Sequence, residues 1–394
     1  MVKISFTGDI MSWKPQNVAS QKKDGSYDYS PIFEHIKAYL HSADYVVGNL
    51  ETPIAGQELA YTEEDTVFNT PSEFLDAIKK AGFDYLSLAN NHCLDRKFVG
   101  LVNTIANVKK YGFDFGGAYL SNEEAKGYSL IDVKGIKIAL FSYTYGTNSA
   151  YQDNELPDSH CFCVDLIRKQ DKYLNIHPRF VGMKTFIKKV LPHSILNIIR
   201  PIVVEDCASC IREYDEKYLN RLSVCIEEAK KEADILFMYL HCGGQFNSVV
   251  GEYTNSLVER IKLYGIPNII VNHPHCVLNH QIHNDGGMTA FALGNFCFTP
   301  GYGDYQTNVY ADYSIVLSAN IDEGTKKIRQ WSYYITKSVR ERNGHSVVYH
   351  VKDLYKKINS RQRRRLYDDC LGVLSRFYGK NIESFEITKE EHPI

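Results

Sequence analysis

Five expected strands in this chain stop abruptly at side chains of the kind that bind metals, and that repetition constrains the fold more than any other feature. Phe83 to Leu88 runs into Ala89-Asn90-Asn91-His92, with Asp95 three residues further on. Val2 to Thr7 ends at Gly8-Asp9, and Asp44 to Val47 ends at Gly48-Asn49-Leu50-Glu51. Asp234 to Leu240 ends at His241, and Asn268 to Val271 ends at Asn272-His273-Pro274-His275. Short apolar runs of this kind read as buried strands. Open α/β sheets place ligands beyond the C-terminal ends of their strands, so these ends are expected to meet at one site.

The intervening segments carry helical signals. Ser30-Pro31 opens a helix whose Ile32, Phe33, Ile36 and Leu40 fall on one face. Thr70-Pro71-Ser72-Glu73 has the form of a capping box, for a helix running to Gly82. Further helices are expected over Phe98 to Tyr111, Glu213 to Glu232 and Tyr253 to Tyr264. Gly135 to Ser142 is a strand with a hairpin partner at Tyr128 to Val133, and Met288 to Leu293 is another, before Gly294-Asn295-Phe296. Alternation of this kind specifies an α/β layered fold with right-handed crossovers. After Asp322 come a strand, Ile328 to Ile335, and a helical stretch whose Arg361, Arg363, Arg364 and Arg365 read as a solvated face.

The pattern breaks between about residues 150 and 210. Residues 172–204 hold six Lys or Arg and no Asp or Glu, interleaved with Phe186, Ile187, Val190, Leu191, Ile195 and Ile198. Two readings apply to this insertion: a lid with its apolar side on the domain, or a basic amphipathic patch on a membrane surface or lipid-linked substrate. Pro192 and Pro201 interrupt any long helix and favour the lid. A net charge of −2 removes any global signature of a nucleic-acid binder. Met1-Val2-Lys3-Ile4 enters a strand at once, and no apolar run reaches the ~18 residues of a spanning helix. A cytoplasmic protein with its ten cysteines reduced is the expectation.

Singly, an Asp after Gly reads as a turn, an Asn at a strand end as an Asx turn, and a His as a hydrogen-bonded core residue. Together, carboxylates, amide oxygens and imidazoles on adjacent strand ends form the donor set of hard-to-borderline divalent metals. His273-Pro274-His275, held extended by its proline, is expected to aim both imidazoles into one pocket. Such a site performs metal-assisted hydrolysis, with His92 as the proton donor and Asp95 as its orienting partner.

The segments Gly8-Asp9-Ile10-Met11, Gly48-Asn49-Leu50-Glu51-Thr52-Pro53, Ala89-Asn90-Asn91-His92, Tyr143-Thr144-Tyr145-Gly146-Thr147-Asn148, His241 with Gly243, His273-Pro274-His275 and Leu293-Gly294-Asn295-Phe296 resemble, in order, the CapA-like family of poly-γ-glutamate capsule-biosynthesis proteins. That family is related in fold to calcineurin-like metallophosphoesterases. The resemblance implies a four-layer α/β/β/α sandwich, here with a helical insertion at about 150–210 in a domain of residues 1–322, and an α+β tail, 323–394, packed on it. It implies one or two divalent ions (Mn, Fe or Zn) on Asp9, Glu51, Asn91, His241, His273 and His275, with His92 as the acid. Asn90, Tyr145 and Asn148 then line the pocket, and Asn49, Gln245, Asn272 and Asn295 complete the substrate-binding set. Gln245 and Asn272 stand where the family usually has a glutamate and a histidine.

Three functions follow from this reading. The first is a metal-dependent phosphoesterase-type hydrolase in capsule, exopolysaccharide or poly-γ-glutamate biosynthesis. The second is an amide or ester hydrolase, or a transferase, in cell-surface polymer assembly. The third is a non-catalytic protein that binds an anionic polymer. The expected partner is an anionic polymer or a phosphorylated or lipid-linked glycan, with peripheral membrane contact through 172–204.

Overall fold

The computed structural model describes residues 1–63, 67–149, 154–170, 206–300 and 309–394. Strand β1 (Val2–Ile10) is followed by α1 (Lys14–Ser20) and two single-turn helices, α2 (Ser30–Phe33) and α3 (Lys37–Leu40). Then come β2 (Tyr45–Leu50), α4 (Glu73–Ala81), β3 (Tyr85–Ser87), α5 (Lys97–Lys110) and β4 (Asp114–Gly116). A hairpin of β5 (Ser129–Val133) and β6 (Ile136–Thr144) precedes α6 (Glu216–Glu232), β7 (Ile235–His241), α7 (Glu252–Tyr264) and β8 (Asn268–Asn272). Three short strands follow, β9 (His280–Ile282), β10 (Met288–Ala290) and β11 (Asn295–Cys297), and then β12 (Tyr313–Asp322), β13 (Lys327–Arg340) and β14 (Ser346–His350). Helices α8 (Val351–Lys357) and α9 (Ser360–Tyr378) and the short β15 (His392–Pro393) complete the chain.

These strands form two mixed sheets. One runs β14-β13-β12-β1-β2-β3-β4, with β11 beside β1 and β15 beside β13; the other runs β5-β6-β7-β8-β10-β9. Between them lies an apolar core in which the rings of Phe6 and Phe237 are 4.9 Å apart. The Tyr239 hydroxyl donates across that gap to the Thr7 carbonyl at 2.5 Å. A second cluster packs α2 to α5 on the first sheet, through Ile32, Phe33, Ile36, Leu40, Phe74, Ile78, Leu101 and Ile105. A third packs α6 and α7 on the second sheet, through Leu219, Leu222, Ile226, Leu257, Val258 and Ile261. Each large side chain buried in this way contributes roughly 1.5–3 kcal/mol.

Strand direction sets up the site. β1, β2 and β3 are mutually parallel, with Asp9 opposite Asn49, and β7 and β8 are parallel, with His241 opposite Asn272. All their polar ends therefore gather at one end of the molecule. Gly8 permits the close approach this requires: a Cβ there would meet the Gly294 carbonyl oxygen at 1.9 Å. The Asp9 amide instead donates to that carbonyl at 3.0 Å.

Several local expectations change. Ser30 to Leu40 is not one helix but α2 and α3, although all four of its facing apolar residues are buried. Thr70 does not cap α4, which starts at Glu73 with Ser72 before it. The Thr70 hydroxyl bonds the Ser12 carbonyl at 3.0 Å and the Thr52 hydroxyl at 2.9 Å, tying three loops together. The start of the expected insertion is absorbed into the core: Val164 bridges Ala118, Leu166 bridges Thr144, and both are buried. Residues 172–204, the expected membrane patch, lie outside the described residues. The C-terminal segment enters the first sheet itself, since β13 pairs with β12 from Tyr313 opposite Lys337 to Asp322 opposite Lys327. No helix among the described residues is long and apolar enough to cross a membrane. All ten cysteines are free thiols.

One buried carboxyl is exposed to pH through the fold. Asp165 is 2% exposed; its Oδ2 accepts the Tyr119 hydroxyl at 2.6 Å, while Oδ1 has no hydrogen-bond partner. Burial pushes its carboxyl up to about 7. The folded state therefore holds a proton that the unfolded chain releases near pH 4, and stability falls as pH rises from about 4 to about 7. The loss is about 1.4 kcal/mol for each pH unit over which the two states differ in protonation. Asp165→Asn is expected to melt higher than wild type at pH 8 and to lose that advantage at pH 4. Equal melting curves at pH 8 would remove the assignment.

Candidate metal centre

At the gathered strand ends, the structure brings together two overlapping triads. Ligand atoms of Asp9, Glu51 and His241 lie within 4.8 Å of one another, as do those of Glu51, His273 and His275. Glu51 belongs to both. It is fully buried and neither carboxylate oxygen accepts a hydrogen bond, although His241 Nε2 stands 3.4 Å and His275 Nε2 3.8 Å from Oε1. An unpartnered buried carboxylate is expensive, and a cation is the partner that would satisfy it.

Asp9 is held from two sides. Its Oδ1 accepts the Asn49 side-chain amide at 2.8 Å, and its Oδ2 accepts the His273 backbone amide at 3.2 Å. Burial, the largest influence, opposes ionisation, but the His275 hydrogen bond and the charges of His241 and His275 outweigh it and hold the carboxyl below its usual range. His275 is the counterpart. Burial disfavours its charge, yet Glu51 and Asp9 push its imidazole up to about 9. His273 is driven well below the ordinary value by burial and by the neighbouring His241 and His275. His241 Nε2 faces Asn91 Oδ1 at 2.8 Å and His273 Nδ1 at 3.1 Å, so Asn91 adjoins both triads.

The His273-Pro274-His275 turn reaches this geometry by a different route from extension. His273 has φ +97° and His275 φ +56°, so the segment coils through the left-handed region. Both rings still face the cluster, with centroids 5.7 Å apart. Nine non-glycine residues have positive φ among those described, and four of them, Asn148, Phe246, His273 and His275, border this site. Each such residue costs about 1–3 kcal/mol and persists only where its surroundings over-determine it.

His92 sits beside the cluster. Its Nδ1 is 2.7 Å from Asp95 Oδ2, which also accepts the Phe68 backbone amide at 2.7 Å. The Phe68 ring lies on the imidazole with centroids 4.2 Å apart. Burial works against protonation, but Asp95, by charge and hydrogen bond, and then Glu51 raise the imidazole above its ordinary value. With Nδ1–H committed to the carboxylate, Nε2 is the atom left for proton exchange.

The residues expected to line the pocket separate into two groups. Asn49, Asn90 and Asn295 are buried and bonded to the site's own scaffold. The Asn90 side-chain amide donates to Asn49 Oδ1 at 3.2 Å and to the Leu50 carbonyl at 2.8 Å, while its Oδ1 accepts the His92 amide at 3.1 Å. Asn295 Oδ1 accepts His275 Nδ1–H at 2.9 Å and its amide donates back to the His275 carbonyl at 3.0 Å. Tyr145 and Asn148 are half-buried on the open side; the Tyr145 ring is 4.8 Å from that of His273, and Asn148 accepts the Asn91 amide at 3.2 Å. Gln245 is exposed, and Asn272 is buried with both amide atoms unpartnered. Phe68 and Phe246, whose ring is 5.5 Å from that of His275, are functional neighbours that no sequence signal marks.

The donor set of carboxylate oxygens and imidazole nitrogens fits a divalent metal ion. The nearby thiols are turned elsewhere: Cys242 Sγ contacts Cys207 Sγ at 3.3 Å, and Cys276 Sγ contacts the Asn247 carbonyl at 3.3 Å.

Residues 3–300 match the family model described as bacterial capsule synthesis protein PGA_cap. The capsule biosynthesis protein CapA of Bacillus anthracis is 21% identical over 336 residues, covering 82% of this chain and 68% of its own length. The PGA biosynthesis protein CapA of Bacillus subtilis (strain 168) is 24% identical over 318 residues, covering 80% and 68%. A solved structure described as a novel phosphatase from Mycoplasma pneumoniae aligns over 85% of this chain and 92% of its own, at 14% identity and a TM-score of 0.42.

Proposed function

The chain belongs to the family of bacterial capsule synthesis proteins, and from that premise we propose that its buried centre is a metal-dependent hydrolytic site of the phosphoesterase type. On this reading the two sheets and their helices are a four-layer α/β/β/α sandwich of the metallophosphoesterase kind. The observation that carries the proposal is Glu51, a fully buried carboxylate with both oxygens unpartnered that is shared by two triads of ligand-type side chains. The triads offer places for one or two divalent ions on Asp9, Glu51, His241, His273 and His275, with Asn91 adjoining. A bound divalent cation supplies a Lewis acid that polarises a phosphoryl or acyl oxygen and lowers the pKa of water toward ~7.

The chain's own residues supply the rest. Asn49 holds Asp9, and Asn295 fixes the ring of His275. His92 delivers a proton from Nε2 to the leaving group while Asp95 keeps the ring in register. Tyr145, Asn148 and Gln245, on the open side, meet the substrate, an anionic polymer or a phosphorylated or lipid-linked glycan of capsule, exopolysaccharide or poly-γ-glutamate assembly. The names of the two CapA relatives, one of them a PGA biosynthesis protein, favour a second reading in which the bond cleaved or transferred is an amide or ester.

A paired screen decides between them. Protein loaded with Mn, Fe or Zn is offered an aryl phosphate, an aryl phosphodiester and a γ-glutamyl anilide. Turnover of the phosphate esters is expected. Turnover of the anilide alone would transfer the site to amide chemistry, and metal uptake with no turnover of any of them would leave a binding protein.

A further inference from the structure

Arg376 lies on α9, outside the residues that match the family model, yet its guanidinium reaches the turn that follows His275 and the neighbouring turn at Phe246 and Asn247. Its Nε donates to the Val277 carbonyl at 2.8 Å, and its Nη2 donates to the Asn247 carbonyl at 2.5 Å and lies 3.2 Å from Cys276 Sγ. Cys276 and Val277 directly follow His275, and Asn247 directly follows Phe246, whose ring packs against the His275 imidazole. The Phe246 amide in turn donates to the Pro274 carbonyl at 2.8 Å. The rigid guanidinium fork therefore pins two turns to each other, and both contain residues at positive φ: Phe246 in one, His273 and His275 in the other. Such backbone conformations need external support, and the polar contacts of His275 with Asn295, Asp9 and Glu51 act on its ring and its carbonyl rather than on the following residues.

We propose that Arg376 is a positioning residue of the metal centre: it sets the affinity and coordination geometry at His275 by clamping the 246–247 and 276–277 turns, and so makes the C-terminal helix part of the site. This rests on the metal-centre reading above. Lysine carries the same charge on a single nitrogen and does not reproduce the planar spacing by which Nε and Nη2 each meet their own carbonyl.

The test is Co(II) titration of the protein, followed by visible absorption and competition with Mn(II). Groups that orient a ligand typically set metal affinity by about 10–100-fold. Arg376→Met is expected to weaken Co(II) binding within that range and to change its visible spectrum. Millimolar guanidinium, well below denaturing concentration, should restore both in part. Arg376→Lys should fall between the two, and it keeps the experiment decisive if the Met variant does not fold. Arg364→Ala, on an exposed position of the same helix, should match wild type. Wild-type affinity and spectrum in both Arg376 variants would overturn the proposal alone, as would a loss that follows melting temperature and is not rescued by guanidinium. A wild-type protein that takes up neither Co(II), Mn(II) nor Zn(II) would instead sink the metal-centre reading and this inference with it.

Discussion

His92→Ala is expected to lower kcat on an aryl phosphate by about 10²–10⁴-fold while leaving bound metal unchanged. The separation of the two effects follows from the geometry. His92 belongs to neither ligand triad, and its Nδ1 is occupied by Asp95 at 2.7 Å. Removing the ring takes away the proposed proton donor without touching a candidate ligand. Asp95→Asn should show a smaller loss of kcat, because the ring survives but its orienting carboxylate is weakened. Asp95 also accepts the Phe68 amide, so Phe68→Leu should act in the same direction by loosening the ring's stacking face. The measurement is steady-state kinetics with metal analysis on the same preparations. Undiminished turnover in His92→Ala would remove the residue from the chemistry, and parallel loss of metal would reassign it as a ligand.

Glu51→Gln should have the opposite signature: metal is lost and the metal-free protein is no less stable. Orienting groups alone set metal affinity by about 10–100-fold, so removing a carboxylate shared by both triads should weaken it by about 100-fold or more. Without metal, however, Glu51 is a fully buried carboxylate that accepts no hydrogen bond. Burying an unsatisfied polar group costs about 1–3 kcal/mol, and more when it is charged. A neutral isostere relieves part of that. Metal at a hundredfold excess over Kd should stabilise the wild type by about 2.7 kcal/mol and the variant by little of this. Thermal melts with and without metal read both effects. A Gln variant that retains wild-type metal content and the full metal-induced rise would dismantle the shared-ligand geometry.

The strand ends were the most legible part of the chain. Each is marked by an abrupt change from buried apolar residues to a carboxylate, amide or imidazole, and parallel pairing of β1 with β2 and of β7 with β8 carries those ends to one place. What was not legible is how the turns deliver the side chains. An X-Pro step ordinarily disfavours anything but extended backbone, so His273 at φ +97° contradicts the local rule. Tertiary contacts override it: the Asp9 carboxylate holds the His273 amide, and the Phe246 amide holds the Pro274 carbonyl. Thr70 illustrates the same competition. Its spacing to Glu73 fits a capping box, but a carbonyl 58 residues away, at Ser12, takes its hydroxyl. The division of the asparagines into scaffold and open-side residues depended on amide geometry that spacing does not encode.

The central place of β1 has a consequence for how the molecule is made. β1 lies between β2 and β12, and Val2 pairs with Ile321. On a ribosome adding about 5–20 residues per second, one edge of that strand waits roughly 15–65 s for its neighbour. During that interval a row of backbone donors and acceptors, flanked by Ile4 and Phe6, is open to any other strand that passes. That edge of the nascent chain is closed only when β12 has left the exit tunnel.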